Sequence, residues 1–113
     1  MSNIPAPVDA TATPEWAALK AHHDQLVADH FNLKDAFAAD GKRVEKLSFD
    51  MSDLHFDLSK DLITDDTVKL LCNLGRAVGL EQRRDAMFSG EHINTTEDRA
   101  VLHTALRLSL IHI

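Results

Sequence analysis

The alternation of apolar and polar residues reverses its phase at Ser52-Asp53, and this reversal limits the possible folds more than any other feature of the sequence. Every second residue on either side of the pair is apolar: Leu47, Phe49, Met51, Leu54, Phe56 and Leu58. Folding the chain back at the pair places the two series on one face of a sheet, with Phe49 opposite Phe56. The sequence therefore predicts a β-hairpin. Because Ser-Asp is not the Asn-Gly type of pair preferred in two-residue turns, a longer or irregular turn stays possible.

Helical structure is predicted before the hairpin. Residues 1–13 are rich in Pro, Ala and Thr, which predicts a flexible tail. Pro14 suits a first helical turn, and apolar residues then recur at helical spacings: Trp16, Leu19, Leu26, Val27, Phe31, Leu33 and Phe37. This pattern fits one long helix or two shorter ones, with Asn32 as the candidate break and Asp40-Gly41 as the end.

Two more helices are predicted after the hairpin. Thr64 is a good N-cap, and the acidic pair Asp65-Asp66 follows it at the positive end of the helix dipole. Apolar residues keep helical spacing up to Gly79, which can end the helix. A short helix is then predicted over residues 81–88, ending at Ser89-Gly90.

The stretch GEHINTTEDRAVLH, residues 90–103, concentrates ionisable groups and predicts a last helix. Thr95 can act as its N-cap, Asp98 can reach back as a variant of the capping box, and Glu97 adds favourable charge. On a helical wheel one arc is apolar and consists of Val101, Leu102, Ala105 and Leu106. The other arc carries Arg99, His103 and Arg107. We interpret the stretch as an amphipathic helix; the alternative is an anion-binding or general acid–base surface.

Composition limits the class of protein. With 12 Lys and Arg against 18 Asp and Glu, the formal charge is −6, and the basic residues form no run, which argues against nucleic-acid binding. A single cysteine excludes an intrachain disulfide, so a reducing cytosol is expected. We find no secretory signal and no apolar run of the roughly 18 residues that a membrane span needs.

Two groups of residues are candidates for chemistry. His22, His23 and His30 form the best candidate metal cluster, in which His23 and His30 are seven positions apart on one predicted helix face. Zinc needs three or four converging ligands, and neither an HExxH pair nor a Cys-His spacing is present, so we interpret these histidines as solvated. Cys72 lies among leucines, which predicts a small buried apolar side chain rather than a nucleophile.

The run MFSGEHINTTEDRAVLHTALR, residues 87–107, resembles the signature of the glucose-6-phosphate isomerases, which interconvert glucose 6-phosphate and fructose 6-phosphate. Three upstream segments occur in the order and approximate spacing of that family: LKDAFAADGKRVEKLSF, the DLSK that follows the hairpin, and ITDDTVKLL. The resemblance extends from about Trp16 to Arg107. His92 is a departure, since the family more often has lysine there.

The resemblance implies that this chain is the N-terminal part of an α/β enzyme with sugar-isomerase domains of the αβα sandwich type. In that family a histidine assists ring opening, and a glutamate moves a proton between C2 and C1 through a cis-enediol. A Ser/Thr-rich loop holds the phosphate, and no metal or organic cofactor takes part. All of these residues are expected beyond Ile113. The resemblance thus assigns no catalytic, substrate-binding, cofactor-binding or metal-binding residue to this chain, including Glu91, Glu97 and His103.

We therefore expect a flexible tail over residues 1–13, the helical and hairpin region of the isomerase over 14–107, and an anomalous terminus over 108–113. That terminus, LSLIHI, does not resemble the family's continuation, which suggests a truncated fragment.

The expected function is glucose-6-phosphate isomerisation in glycolysis and gluconeogenesis, in the cytoplasm, by a full-length homodimer that binds a sugar phosphate. Neither nucleic acid nor membrane is an expected partner, and the fragment alone should be inactive. The alternative is a small non-enzymatic, α-rich protein-binding module that uses the face of Arg99, His103 and Arg107.

Overall fold

The computed structural model describes residues 6–102 of the chain. In chain order its elements are a 3-10 helix Ala10–Ala12, α1 Pro14–Ala28, α2 Leu33–Ala39, α3 Arg43–Lys46, β1 Ser48–Met51, β2 Leu54–Asp57, α4 Asp65–Ala77 and α5 Leu80–Phe88. The described chain divides into two compact units, one formed by Thr11–Leu74 and the other by residues 6–10 with 75–102. The predicted fold class for this segment, mainly α with one β-hairpin, is confirmed. Of the two arrangements left open before the hairpin, the structure has the two shorter helices.

The first helix has defined signals at both ends. Thr13 Oγ1 accepts a hydrogen bond from the Trp16 backbone N–H at 3.1 Å, and Pro14 occupies the first turn. At the other end His30 has a left-handed φ of 54°, its N–H donates to Val27 O, and the Phe31 N–H donates to Leu26 O. These two bonds form a Schellman motif, which satisfies carbonyls left over at the end of the helix.

Asn32 separates α1 from α2, as the sequence predicts. It is the N-cap of α2, and its Oδ1 accepts a hydrogen bond from the Asp35 backbone N–H at 2.9 Å. Within the segment predicted to be a flexible tail, Ala10–Ala12 form one turn of 3-10 helix, and residues 1–5 lie outside the described part.

The hairpin has the register that the phase reversal predicts. β1 and β2 pair antiparallel, with Phe49 opposite Phe56 and Met51 opposite Leu54, joined by a two-residue turn. The two phenylalanine rings stack with centroids 5.3 Å apart, a geometry that stabilises cross-strand pairs. Ser52 takes the positive φ of 54° that a turn of this length requires.

The next helix, α4, begins with a reciprocal pair of threonines. The Thr64 N–H donates to Thr67 Oγ1 at 3.0 Å, and the Thr67 N–H donates to Thr64 Oγ1 at 3.4 Å. This is a capping box with threonine in the place usually taken by Glu or Gln. Gly79, at φ 77°, follows the end of α4 and donates its N–H to Arg76 O, so the predicted stop is confirmed. α5 begins one residue before the predicted start, at Leu80.

The helix predicted to start at Thr95 is wrong over the described residues. Asn94 and Arg99 instead form an isolated antiparallel bridge, with N–H to O distances of 3.0 and 3.2 Å, around a turn. Asp98, predicted to complete the capping box, has a φ of 53°, which a right-handed helix does not allow. A short helix needs a packed apolar face to be stable in water, and local capping signals do not supply one.

Little of the described chain forms a hydrophobic core. Its buried apolar side chains are Leu47 and Ala86, while Arg43, Ser59 and Thr67 are buried polar residues. Many large apolar side chains are exposed, among them Phe49, Met51, Leu54 and Leu62. None of the helices in residues 6–102 is both long enough and apolar enough to cross a bilayer.

Candidate functional site

The side chain of Arg43 is a buried charged group of the Thr11–Leu74 unit. It is only 6% exposed, and its Nε and Nη2 donate to the backbone carbonyls of Ser59 at 2.9 Å and Asp61 at 3.0 Å. The guanidinium carbon lies 5.8 Å from the ring centroid of Phe31 and 5.4 Å from that of Phe37, within the range of cation–π attraction. Arg43 thus joins α3 to the segment after the hairpin and to two aromatic rings.

Sequence reasoning missed Arg43. The run GKRVEK around it has the composition of a solvated surface, so its charge pattern gave no sign of burial. The planar guanidinium can donate in several fixed directions while its faces contact rings. Because its two hydrogen-bond acceptors are backbone carbonyls, its geometry is that of a structural clamp.

A cavity of about 170 Å³ lies beside Arg43. It is lined by Phe31, Ala36, Asp40, Arg43, Lys46, Leu47, Thr64 and Asp65. The Lys46 ammonium donates to Asp40 Oδ2 at 2.7 Å, and the Lys42 backbone N–H donates to Asp40 Oδ1 at 2.9 Å. These bonds, that of Lys46 first, lower the pKa of the Asp40 carboxyl below 3.8, and Asp40 in turn raises the pKa of Lys46 above 10.5. At neutral pH the pair is ionised, so neither group is a proton donor or acceptor near pH 7.

A larger groove of about 550 Å³ runs along α1. We call it the α1 groove; it is lined by Trp16, Leu19, Lys20, His22, His23, Asp24, Leu26, Leu62, Ile63 and Thr67. The charged groups on its rim bond to one another, since Asp24 accepts from Lys20 Nζ at 3.1 Å and pairs with His23 Nδ1 at 3.2 Å. Half of its lining residues are apolar, and its charged groups are paired with one another.

His22 lines this groove and bonds to a second helix. Its Nε2 and Thr67 Oγ1 share a hydrogen bond of 2.6 Å, which joins α1 to the first turn of α4. Thr67 is buried at 7% exposure and also bonds to Thr64. The prediction that all three histidines are solvated is therefore wrong for His22, because sequence spacing does not show a contact between distant helices.

The predicted placement of His23 and His30 on one helix face is also wrong. α1 ends at Ala28, and His30 occupies the left-handed position of the Schellman motif beyond it. His22 bonds to Thr67, whereas His23 bonds to Asp24. Within residues 6–102 no three His, Cys, Asp or Glu side chains converge on a possible metal position.

Cys72 is exposed, so its predicted burial is wrong. Successive helical residues are rotated by about 100°, which places Cys72 about 200° from Leu70 and from Leu74 on the wheel of α4. Leu70 and Leu74 are half-buried. Leu70 and Leu74 therefore lie on the face of the helix opposite to Cys72, and the adjacent Leu71 is itself 48% exposed.

The basic face proposed for the last helix is not formed by the described residues. Arg99 lies in the bridge with Asn94 rather than on a helix, while His103 and Arg107 lie outside the described part of the chain. An exposed pair forms nearby instead, between His92 Nδ1 and Asp98 Oδ1 at 2.9 Å. The basic face on which the protein-binding alternative depends is therefore not formed within residues 6–102.

Comparison with known proteins identifies related sequences over most of the chain. The family model of phosphoglucose isomerase matches residues 57–111. The chain is 62% identical over 104 residues to a glucose-6-phosphate isomerase of Bifidobacterium longum, an alignment that covers 92% of this chain and 18% of the relative. It is 56% identical over 106 residues to that of Corynebacterium kroppenstedtii, covering 94% of this chain and 18% of the relative.

A third relative, the glucose-6-phosphate isomerase of Mycobacterium tuberculosis, is 53% identical over 108 residues, which covers 96% of this chain and 19% of the relative. The chain thus spans slightly less than a fifth of the length of these relatives. Matches of 53 to 62% identity across almost the whole chain are far more specific than a short motif. By its sequence, this chain belongs to the phosphoglucose isomerase family.

Proposed function

We propose that this chain is part of a glucose-6-phosphate isomerase, an enzyme that interconverts an aldose phosphate and a ketose phosphate. The 62% identity to the Bifidobacterium longum enzyme over 92% of the chain carries this proposal. Identity at this level normally preserves the fold and the contacts that the segment makes with the rest of its protein. The substrate of the whole enzyme is then glucose 6-phosphate or fructose 6-phosphate, and its setting is glycolysis and gluconeogenesis.

Within that enzyme we assign this segment a supporting role and assign catalysis to the remainder. The described polar groups favour this division. Arg43 bonds to backbone carbonyls, and Lys46 pairs with Asp40. Sugar-phosphate chemistry needs cationic groups free to bind phosphate and a base free to move a proton.

The rest of the proposal follows the family. Residues 14–107 belong to the helical and hairpin region at the N-terminal side of the isomerase, preceded by a tail over residues 1–13 and followed by residues 108–113, of which 108–111 lie within the matched family model. The whole enzyme is a cytoplasmic homodimer that needs no metal or organic cofactor. No catalytic, substrate-binding or metal-binding residue is assigned within these boundaries.

A coupled assay of fructose 6-phosphate conversion tests whether catalysis belongs to the remainder of the enzyme. The purified 113-residue chain should give no turnover above the buffer control, while the Bifidobacterium longum enzyme under the same conditions provides the positive control. Turnover by the chain alone, with activity and protein eluting together, contradicts the assignment of catalysis to the remainder.

A chimera tests membership in a working isomerase. In this chimera, the matched segment of the Bifidobacterium longum enzyme is replaced by the sequence of this chain. The inserted residues keep the numbers they have in this chain. We expect kcat/KM within about threefold of the parent, because swaps between similar sequences that conserve core volume are tolerated. A chimera that folds but has lost isomerase activity contradicts the proposed function. The reading frame of the encoding DNA beyond codon 113 gives an independent check, since under this proposal it continues into sugar-isomerase sequence.

A further inference from the structure

The α1 groove is a large apolar feature of the Thr11–Leu74 unit that the proposed function does not yet use. Its volume of about 550 Å³ falls in the range of sites that hold a side-chain cluster or a small ligand. Trp16 and Leu62 remain 38% and 65% exposed although both line it. Large apolar side chains gathered along one groove mark a surface that is covered in the working protein.

The chemistry of the groove favours polypeptide over a charged small molecule. Asp24 bonds to Lys20 and to His23, and His22 bonds to Thr67, so the polar side chains that line the groove already bond to one another. A sugar phosphate needs several donors directed at its phosphate and hydroxyls. Apolar side chains need only an apolar surface of matching shape, which Leu19, Leu26 and Ile63 help to supply.

We propose that the α1 groove is the docking site for the rest of the isomerase polypeptide, and that apolar side chains from that remainder fill it. This inference rests on the proposed function. The relatives contain more than four-fifths of their length outside the matched segment, and that additional chain is covalently joined to it. Covalent linkage gives the remainder a high effective concentration at the groove, which a freely diffusing partner lacks. The small core of the described residues also leaves this apolar surface to be buried elsewhere.

Thiol labelling in the full-length chimera tests the docking. Leu62→Cys places a thiol in the groove at a position that is 65% exposed in the described structure. Ala21→Cys provides the matched control, because Ala21 is exposed on α1 but is absent from the groove lining. Both variants carry Cys72→Ser to remove the exposed native thiol. Maleimide incorporation at each site is followed over time by mass spectrometry of the proteolytic peptides.

We expect the thiol of Leu62→Cys to react at least about tenfold more slowly than that of Ala21→Cys, because a covered thiol reacts only through local opening. Equal rates in a chimera with an intact thermal transition overturn the proposal. Protection that disappears on dilution, as the mass falls to that of a monomer, also overturns it by assigning the groove to a second copy. Isomerase activity distinguishes failure of the proposed function from failure of the docking proposal. An inactive chimera with a protected thiol contradicts only the proposed function. An active chimera with a freely labelled thiol contradicts only the docking.

Discussion

His22 Nε2 lies 2.6 Å from Thr67 Oγ1, although the two residues are 45 positions apart in the sequence. The bond joins the middle of α1 to the first turn of α4. Thr67 also accepts a hydrogen bond from the Thr64 backbone N–H, so a single hydroxyl contributes both to a helix cap and to a contact between helices. A change at Thr67 should therefore affect both features.

Thr67→Val should destabilise this region by about 1–3 kcal/mol, because it removes a buried hydroxyl and leaves the Thr64 N–H without its acceptor. The side chains have nearly the same volume, so a packing defect contributes little. Hydrogen exchange of the chimera, measured at the amides of α1 and of the first turn of α4, should accelerate in the variant.

A double-mutant cycle with His22→Leu isolates the bond between the two side chains. The effects of the two substitutions should be non-additive by at least about 0.5 kcal/mol, as expected for residues in direct contact. Strict additivity would show that the 2.6 Å contact does not contribute to stability.

Arg43→Lys should destabilise the clamp that joins α3 to the segment after the hairpin. A lysine cannot donate to Ser59 O and Asp61 O with the geometry of a guanidinium, and it loses the planar contact with Phe31 and Phe37. We expect a cost of about 1–3 kcal/mol. In the chimera, the variant should have a lower unfolding temperature and faster hydrogen exchange at the backbone amides of residues 58–63.

Arg84→Lys is the matched control for this experiment. The side chain of Arg84 is 58% exposed and pairs with its neighbour Asp85, so the same substitution should cost little. Similar losses in the two variants would be incompatible with a specific role for Arg43.

The features that the sequence predicts correctly depend on neighbouring residues. The register of the hairpin follows from the alternation of apolar residues, because a shift by one residue would turn Phe49 and Phe56 to opposite faces. The predicted cap at Thr64 and the predicted break at Asn32 follow from side chains that accept a hydrogen bond from a backbone N–H three residues on. All the residues that produce such a signal lie within a few positions of one another in the sequence.

The features that sequence reasoning missed depend on contacts between distant residues or on rotation around a helix. Arg43 is buried because Ser59, Asp61 and two aromatic rings surround it, and none of these neighbours is evident from the run GKRVEK. Cys72 is close in sequence to Leu70 and Leu74 but lies on the opposite face of α4 from them. The residues from Thr95 match the capping pattern of a helix start, but that pattern does not supply the packed apolar face that a short helix needs.

Substitutions at Asn94 and Thr95 separate the observed turn from the predicted helix. Asn94 Oδ1 accepts from Thr96 Oγ1 at 2.9 Å and from the Glu97 N–H at 3.4 Å, so Asn94→Ala should loosen the turn and increase exchange at the Arg99 amide. Thr95→Ala should have little effect, because Thr95 is exposed and caps no helix in the described structure. A larger effect at Thr95 than at Asn94 would favour the helix.

The pair of Asp40 and Lys46 should give a pH-dependent contribution to stability. Hydrogen bonds from Lys46 and from the Lys42 N–H lower the pKa of Asp40 in the folded chain below its usual value of 3.8. The unfolded chain therefore binds the proton more tightly, and the stabilisation is fully present above pH 3.8 and is lost as pH falls through the lower folded pKa.

Lys46→Met tests this dependence in the chimera. The difference in unfolding temperature between parent and variant should be present at neutral pH and should shrink as the pH falls below 3.8. Lys69→Met is the control, since Lys69 Nζ lies 3.9 Å from Asp66 and its side chain is 74% exposed. A difference for Lys46→Met that does not change with pH contradicts the role of the ion pair.

The 113-residue chain in isolation should show no cooperative thermal unfolding transition. Among its described residues the buried apolar side chains are Leu47 and Ala86, while Trp16, Leu62 and the outer hairpin residues expose apolar surface. Burial of apolar surface is the main term that offsets the loss of conformational entropy on folding, and the described residues bury little of it. Circular dichroism should show helix content that decreases gradually on heating, whereas the chimera should unfold in a sharp transition. A sharp transition in the isolated chain would mean that the segment is stable without the remainder, and would remove the stability argument for docking at the α1 groove.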